Sequence, residues 1–167
     1  MTELPKIELG KAIEWGIEAL VGEIAGGTNA VSETIGSAVN SITEFLMFFP
    51  PELLILLFAI LAWYITKSLK IGIGTLLGMA FIWNLQLWHP TMQTLSLVGL
   101  STLTAIALGI PLGVIAAISL GFRRVIMPIL DFMQTLPAFV YLIPAIPFFG
   151  LGATSALFST VIFAMPP

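Results

Sequence analysis

The run from Met133 to Pro144, MQTLPAFVYLIP, places Gln134, Thr135, Pro137, Tyr141 and Pro144 inside an otherwise apolar stretch, with Asp131 just before it. A segment that only anchors a protein in lipid has no use for helix breakers and buried polar groups. Freed carbonyls and an amide in hydrocarbon cost several kcal/mol each unless protein or a water-filled cavity satisfies them. Broken, polar-bearing spans are typical of solute pathways. Gln134, Thr135, Pro137, Phe139 and Tyr141 are therefore the candidate pathway residues, with positions 134, 137 or 138, and 141 sharing a helical face until proline disturbs it. A kinked packing helix whose glutamine bonds a neighbouring span accounts for the same residues, and both readings stay open.

Other polar residues carry less. Asp131 lies about two turns past Arg123 and Arg124, where pairing with arginine or a neighbouring backbone outweighs a solute or proton role. His89 stands between Trp88 and Pro90 with no second metal-binding side chain near it, which favours a loop residue over a ligand. No metal site is expected, and none of the 167 residues is cysteine, which excludes disulfides and thiol chemistry. No Walker loop, nucleophile–base pair or carboxylate dyad is present, so no catalytic residue and no enzymatic activity is expected.

Composition dictates what must position the run. The chain is 58% hydrophobic and 9% charged, against roughly 25% charge in soluble domains. Eight of the nine acids precede residue 53, and beyond it only Lys67, Lys70, Arg123, Arg124 and Asp131 are charged. The expected organisation is an acidic, amphipathic head over residues 1–50 and a transmembrane body over 51–167. Net charge of −3 names no partner, and no basic patch suits nucleic acid. The acidic start does not resemble a cleavable signal.

In the head, Leu9, Ile13, Ile17, Leu20 and Ile24 form a helical stripe. Gly26-Gly27 is expected to break it, and Asn29 to cap a second helix carrying Val31, Ile35, Val39, Ile42 and Leu46. The pair would lie on the bilayer surface or on the membrane body; a solvated linker is the alternative. The body divides into five apolar segments: Leu53–Thr66, extended by Phe45–Phe49 across a bend at Pro50-Pro51; Ile71–Trp88; Thr91–Leu120; Val125–Phe149, broken by three prolines; and Ala153–Met165. The fold class is thus all-α, a polytopic membrane protein of about five transmembrane helices after an amphipathic N-terminal region.

Lys67 and Lys70 lie between the first two segments, and Arg123 and Arg124 between the third and fourth, so both pairs are expected in the cytoplasm. The head and the Trp88–Pro90 and Gly150–Gly152 loops then lie outside, and Pro167 inside. Trp63 and Tyr64 suit one aromatic belt, with Trp83 and Trp88 in the other. Ser101, Ala105, Gly109, Gly113, Ala117 and Gly121 put a small residue at every fourth position of the third segment. Small residues let backbones approach in lipid, and a step of four rotates about 40° per repeat. The stripe therefore winds round the helix and suits packing against several neighbours.

Met92–Val98, Gly109–Gly113, Pro128–Ala145, Phe149–Gly152 and Val161–Pro167 together resemble, in order and spacing, the permease subunit of the glycine betaine/proline betaine ABC importers. The likeness covers roughly residues 50–167, and the head resembles the acidic extracytoplasmic region of these permeases less specifically. It implies a type I importer in the cytoplasmic membrane of a prokaryote. In that scheme two permease copies form the pathway, cytoplasmic ATPase subunits use the ATP, and an extracytoplasmic binding protein delivers an osmoprotectant. The binding protein rather than the permease would supply the aromatic cage for the quaternary ammonium, and no cofactor is implied for this chain. Betaine, proline betaine, choline and carnitine are all open as solutes. The family pattern continues beyond the Pro-Pro with a basic stretch, a Glu-Ala-Ala coupling helix and further spans, so the expectation is the N-terminal half of a permease. A membrane interaction protein that does not transport, or a degenerate permease remnant, is the alternative function.

Overall fold

The structure is a computed structural model that describes the backbone of residues 9–166 and the side chains of residues 26–166. Those residues form seven helices: α1 (Leu9–Met47), α2 (Pro51–Thr66), α3 (Leu69–Asn84), α4 (Trp88–Ile118), α5 (Leu120–Thr135), α6 (Ala138–Phe149) and α7 (Ala153–Ala164). The all-α class is as expected. The chain divides into two compact units, one of residues 37–100 and one of residues 1–36 with 101–167; α1 and α4 pass from one to the other.

α1 runs unbroken for 39 residues, so the break expected at Gly26-Gly27 is absent. A glycine inside a helix costs about 1 kcal/mol relative to alanine, and a helix of this length absorbs two. Asn29 therefore caps nothing. The stripe from Leu9 to Ile24 lies outside the described side chains.

Residues 37–100 are organised by the two ends of α2. Pro50 is extended (φ −60°, ψ 141°) and Pro51 opens α2, where a missing N–H costs nothing. The bend expected there is nearly a right angle, 94° between α1 and α2. At the other end Lys67 adopts the left-handed conformation (φ 54°) and its N–H bonds the Trp63 carbonyl, which reverses the chain into α3. Lys67 Nζ sits 3.9 Å above the Tyr64 ring, a cation–π contact. The reversal brings α3 so close to α2 that a Cβ on Gly72 would lie 2.9 Å from Trp63 Cβ.

Leu54, Ile55, Trp88 and Met92 form the core here, flanked by Leu46, Phe49, Phe58 and Met79. Trp88–Pro90 is thus the first turn of α4 rather than a loop, and Trp88 belongs to the core rather than to an aromatic belt; proline is tolerated in that turn. Trp63, Tyr64 and Trp83 are exposed, as a belt requires. The Thr43 and Ser96 hydroxyls meet at 3.0 Å, each also 2.8 Å from the carbonyl four residues earlier. This satisfies two buried polar groups at once.

Among the described residues α4 alone, with 31 residues, is long and apolar enough to cross a membrane. At 1.5 Å per residue it is about 46 Å long, against about 30 Å of hydrocarbon, so it tilts or projects. The pairs α1–α2 and α5–α6 qualify only as bent pairs, and α3 and α7 are shorter apolar helices.

Within residues 1–36 and 101–167, α4 stops where Ser119 becomes extended, and the Ser119 hydroxyl accepts from the Phe122 N–H to cap α5. α7 packs on α5 and α6. The α6–α7 turn needs glycine at Gly150 (φ 75°) and Gly152 (φ 153°). Ser32 of α1 fastens it: its hydroxyl donates to the Phe149 carbonyl at 3.1 Å, while Thr154 donates to the Ser32 carbonyl at 3.2 Å.

Candidate functional site

The fourth apolar segment, expected over Val125–Phe149, divides between α5 and α6 at 99°. The cause is local. A residue before proline is driven out of the α region, and Leu136 is extended at φ −91°, ψ 135°. Pro137, also extended (φ −58°, ψ 143°), caps α6, and its carbonyl accepts from the Val140 N–H at 2.9 Å.

Proline also removes a donor. In a continuous helix the residue-137 N–H would bond the Met133 carbonyl, four residues back. Here the Tyr141 hydroxyl donates to that carbonyl at 2.6 Å. Thr135 closes the last turn of α5 by donating to the Phe132 carbonyl at 2.7 Å. The elbow therefore carries its own replacement bond. Pro144 and Pro147 inside α6 likewise deprive the Val140 and Ile143 carbonyls of the N–H four residues on.

The candidate residues gather round this elbow but not on one helical face. Gln134 and Thr135 are exposed at the end of α5, Pro137 is the corner, Phe139 is 81% exposed in the first turn of α6, and Tyr141 is half-buried. The single face expected for 134, 137 and 141 fails because the direction changes between 135 and 138. The Met133 carbonyl escaped sequence reasoning, although its signal was legible: Pro137 lies four residues after Met133, and Tyr141 four after Pro137.

The small-residue series divides as its winding requires. Ser101 and Ala105 are buried, and Gly109 faces Met165, whose carbonyl oxygen lies 3.4 Å from where a Cβ would stand. Gly113 and Ala117 are exposed, and Gly121 belongs to α5 rather than α4. From 101 to 117 four steps of about 40° turn the series by roughly 160°, so one end faces inward and the other outward. Ser101 Oγ is buried without a hydrogen-bond partner.

A cavity of about 380 Å³ opens beside this series, lined by Thr102, Ala105, Gly109, Gly113, Leu130, Met165 and neighbouring apolar residues. It holds no aromatic or acidic side chain, so it offers a quaternary ammonium neither a π face nor a counter-ion. Lys67, Lys70, Arg123, Arg124, Asp131 and His89 are all exposed. Among the described residues no group of three or more His, Cys, Asp or Glu could hold a metal.

No protein-family model matches the chain. It is 41% identical over 167 residues to the glycine betaine transport system permease protein OpuAB of Bacillus subtilis, covering 100% of this chain and 59% of that protein. It is 40% identical over 170 residues to the glycine betaine/carnitine transport permease protein GbuB of Listeria monocytogenes, covering 100% and 60%. It is 35% identical over 161 residues to the glycine betaine/proline betaine transport system permease protein ProW of Escherichia coli, covering 96% and 45%. The chain spans about half the length of the curated relatives it matches. These relatives are named as transport permeases of bacteria, not as enzymes.

Proposed function

We propose that this chain, homologous along its length to glycine betaine/proline betaine ABC permeases, contributes part of the membrane pathway for glycine betaine-type osmoprotectants. The observation that carries the proposal is 41% identity across all 167 residues to a glycine betaine permease. Among the described residues, the elbow at Leu136-Pro137 is the feature a pathway would use. It sets exposed polar groups and an aromatic ring beside backbone loosened by prolines, as in the broken helices of transporters. Gln134, Thr135, Pro137, Phe139 and Tyr141 are the residues assigned to the route.

The rest of the reading follows the importer scheme. The partners are cytoplasmic ATPase subunits, an extracytoplasmic binding protein and a second permease copy. ATP is used by the ATPases, and this chain itself binds no cofactor. The chain sits in the cytoplasmic membrane with its N-terminus outside and its C-terminus inside. Lys67, Lys70, Arg123 and Arg124 then face the cytoplasm, in keeping with the positive-inside rule. The small-residue series with Gly113 and Ala117 exposed suits packing against further helices.

Uptake of labelled glycine betaine tests the assignment, in cells lacking other importers, with the chain supplied alone and with a complementing C-terminal segment. Uptake above the vector control in either arm supports it, and none in both rejects it. Pull-down from the membrane separates the rival reading: an ATPase subunit marks a transporter, its consistent absence a non-transporting interaction protein.

A further inference from the structure

We propose that α5 lies in the plane of the membrane surface and that its Arg123–Arg124 edge binds anionic phospholipid headgroups. α5 is bounded by two breaks, the extended Ser119 before it and the 99° elbow after it, so it runs nearly at a right angle to α6 rather than continuing it. At 100° per residue its side chains divide into three sectors. Phe122, Ile126, Leu130 and Met133 are half-buried on one side, the side available for packing on α7. Val125, Ile129 and Phe132 occupy a second sector about 60° wide and are 65%, 49% and 63% exposed. Arg123, Arg124, Asp131 and Gln134 occupy a third, all exposed, centred roughly 160° from the second, with Leu120 (71% exposed) and Met127 (40%) interleaved among them.

Neither water nor hydrocarbon suits such a helix. In water five large apolar side chains, Leu120, Val125, Met127, Ile129 and Phe132, stay wetted; in the bilayer core two arginines, an aspartate and a glutamine lose their hydration at several kcal/mol. At the interface the apolar sector meets acyl chains and the polar sector meets headgroups. Two guanidinium groups against one carboxylate leave the polar edge net positive. Guanidinium matches phosphate in a bidentate fork, so charge complementarity selects anionic lipid. This placement does not depend on what the chain transports.

The test uses the full chain in lipid nanodiscs. Because the chain has no cysteine, single nitroxide labels go on at Val125→Cys, Phe132→Cys and Gln134→Cys, and depth is read from collision with oxygen against a water-soluble nickel chelate. Val125 and Phe132 are seven residues apart, about 10 Å along a helix. An in-plane helix gives both the same depth just beneath the headgroups, with Gln134 on the water side. A depth difference near 10 Å means α5 crosses the bilayer and overturns the proposal, as does full water exposure of all three. Phosphatidylglycerol retained against phosphatidylcholine is then measured for the arginine pair, for R123Q/R124Q and for R123K/R124K. The expected loss of preference is about fivefold per arginine removed, largely recovered with lysine. An unchanged preference in R123Q/R124Q overturns headgroup binding, and the depth measurement, made with both arginines present, does not rely on that variant folding.

Discussion

The Tyr141 hydroxyl donates to the Met133 carbonyl at 2.6 Å, taking the place of the backbone N–H that Pro137 lacks. One aromatic residue in α6 thus satisfies the carbonyl that the break in α5 exposes. In a low-dielectric setting that carbonyl would otherwise be costly.

Tyr141→Phe keeps the ring and removes the bond. We expect a loss of about 1 kcal/mol, with the Met133 carbonyl left without its donor, read as a lower unfolding midpoint in detergent. Pro137→Ala restores the missing N–H and lets the helix close on Met133. In that background Tyr141→Phe should cost much less. An equal cost in both backgrounds would show that the hydroxyl does not substitute for the lost donor.

Gly72 and Gly74 lie two residues apart in α3 but differ in surroundings. A Cβ at 72 meets Trp63 Cβ at 2.9 Å, whereas one at 74 meets nothing within 4 Å. Gly72→Ala should destabilise by about 1–3 kcal/mol through overpacking. Gly74→Ala should be neutral or slightly stabilising, as alanine favours helix. Thermal unfolding of the two variants side by side decides it, and equal midpoints would refute the close α2–α3 approach.

Two buried serines of α4 should respond in opposite ways. Ser101 Oγ has no partner, so Ser101→Ala removes an unsatisfied group and should leave stability unchanged or raise it. Ser96 bonds the Met92 carbonyl and meets Thr43, so Ser96→Ala should lower stability by about 1 kcal/mol. Greater harm from Ser101→Ala would contradict this environment.

The apolar runs are legible in the sequence because charged and turn residues bound them. Lys67 and Gly152 fall at or beside the ends of α2 and α7, and the expected segments Leu53–Thr66 and Ala153–Met165 agree closely with those helices, whereas the second, expected over Ile71–Trp88, ends as α3 at Asn84 and yields Trp88 to α4. Directions are not legible. Proline announces a break at 137 and another at 50-51, but 99° and 94° depend on which extended conformations flank it. The identity of Gly26-Gly27 misleads, because a glycine penalty near 1 kcal/mol is too small to stop a long helix. Trp88 reads as a belt residue from its flank of His89 and Pro90, yet contacts with Leu54, Ile55 and Met92 make it core. The elbow is half legible: its residues are visible in sequence, whereas the bond between Tyr141 and Met133 needs the turn itself.

Labelling of Phe139→Cys tests most directly whether the elbow faces a solute route, in membranes where the chain is co-produced with the ATPase and binding protein that the proposed function assigns to it. A membrane-impermeant thiol reagent should modify the introduced cysteine, and saturating glycine betaine should slow the reaction several-fold. Modification at the same rate with and without glycine betaine, or no modification at all, would contradict a route past Phe139.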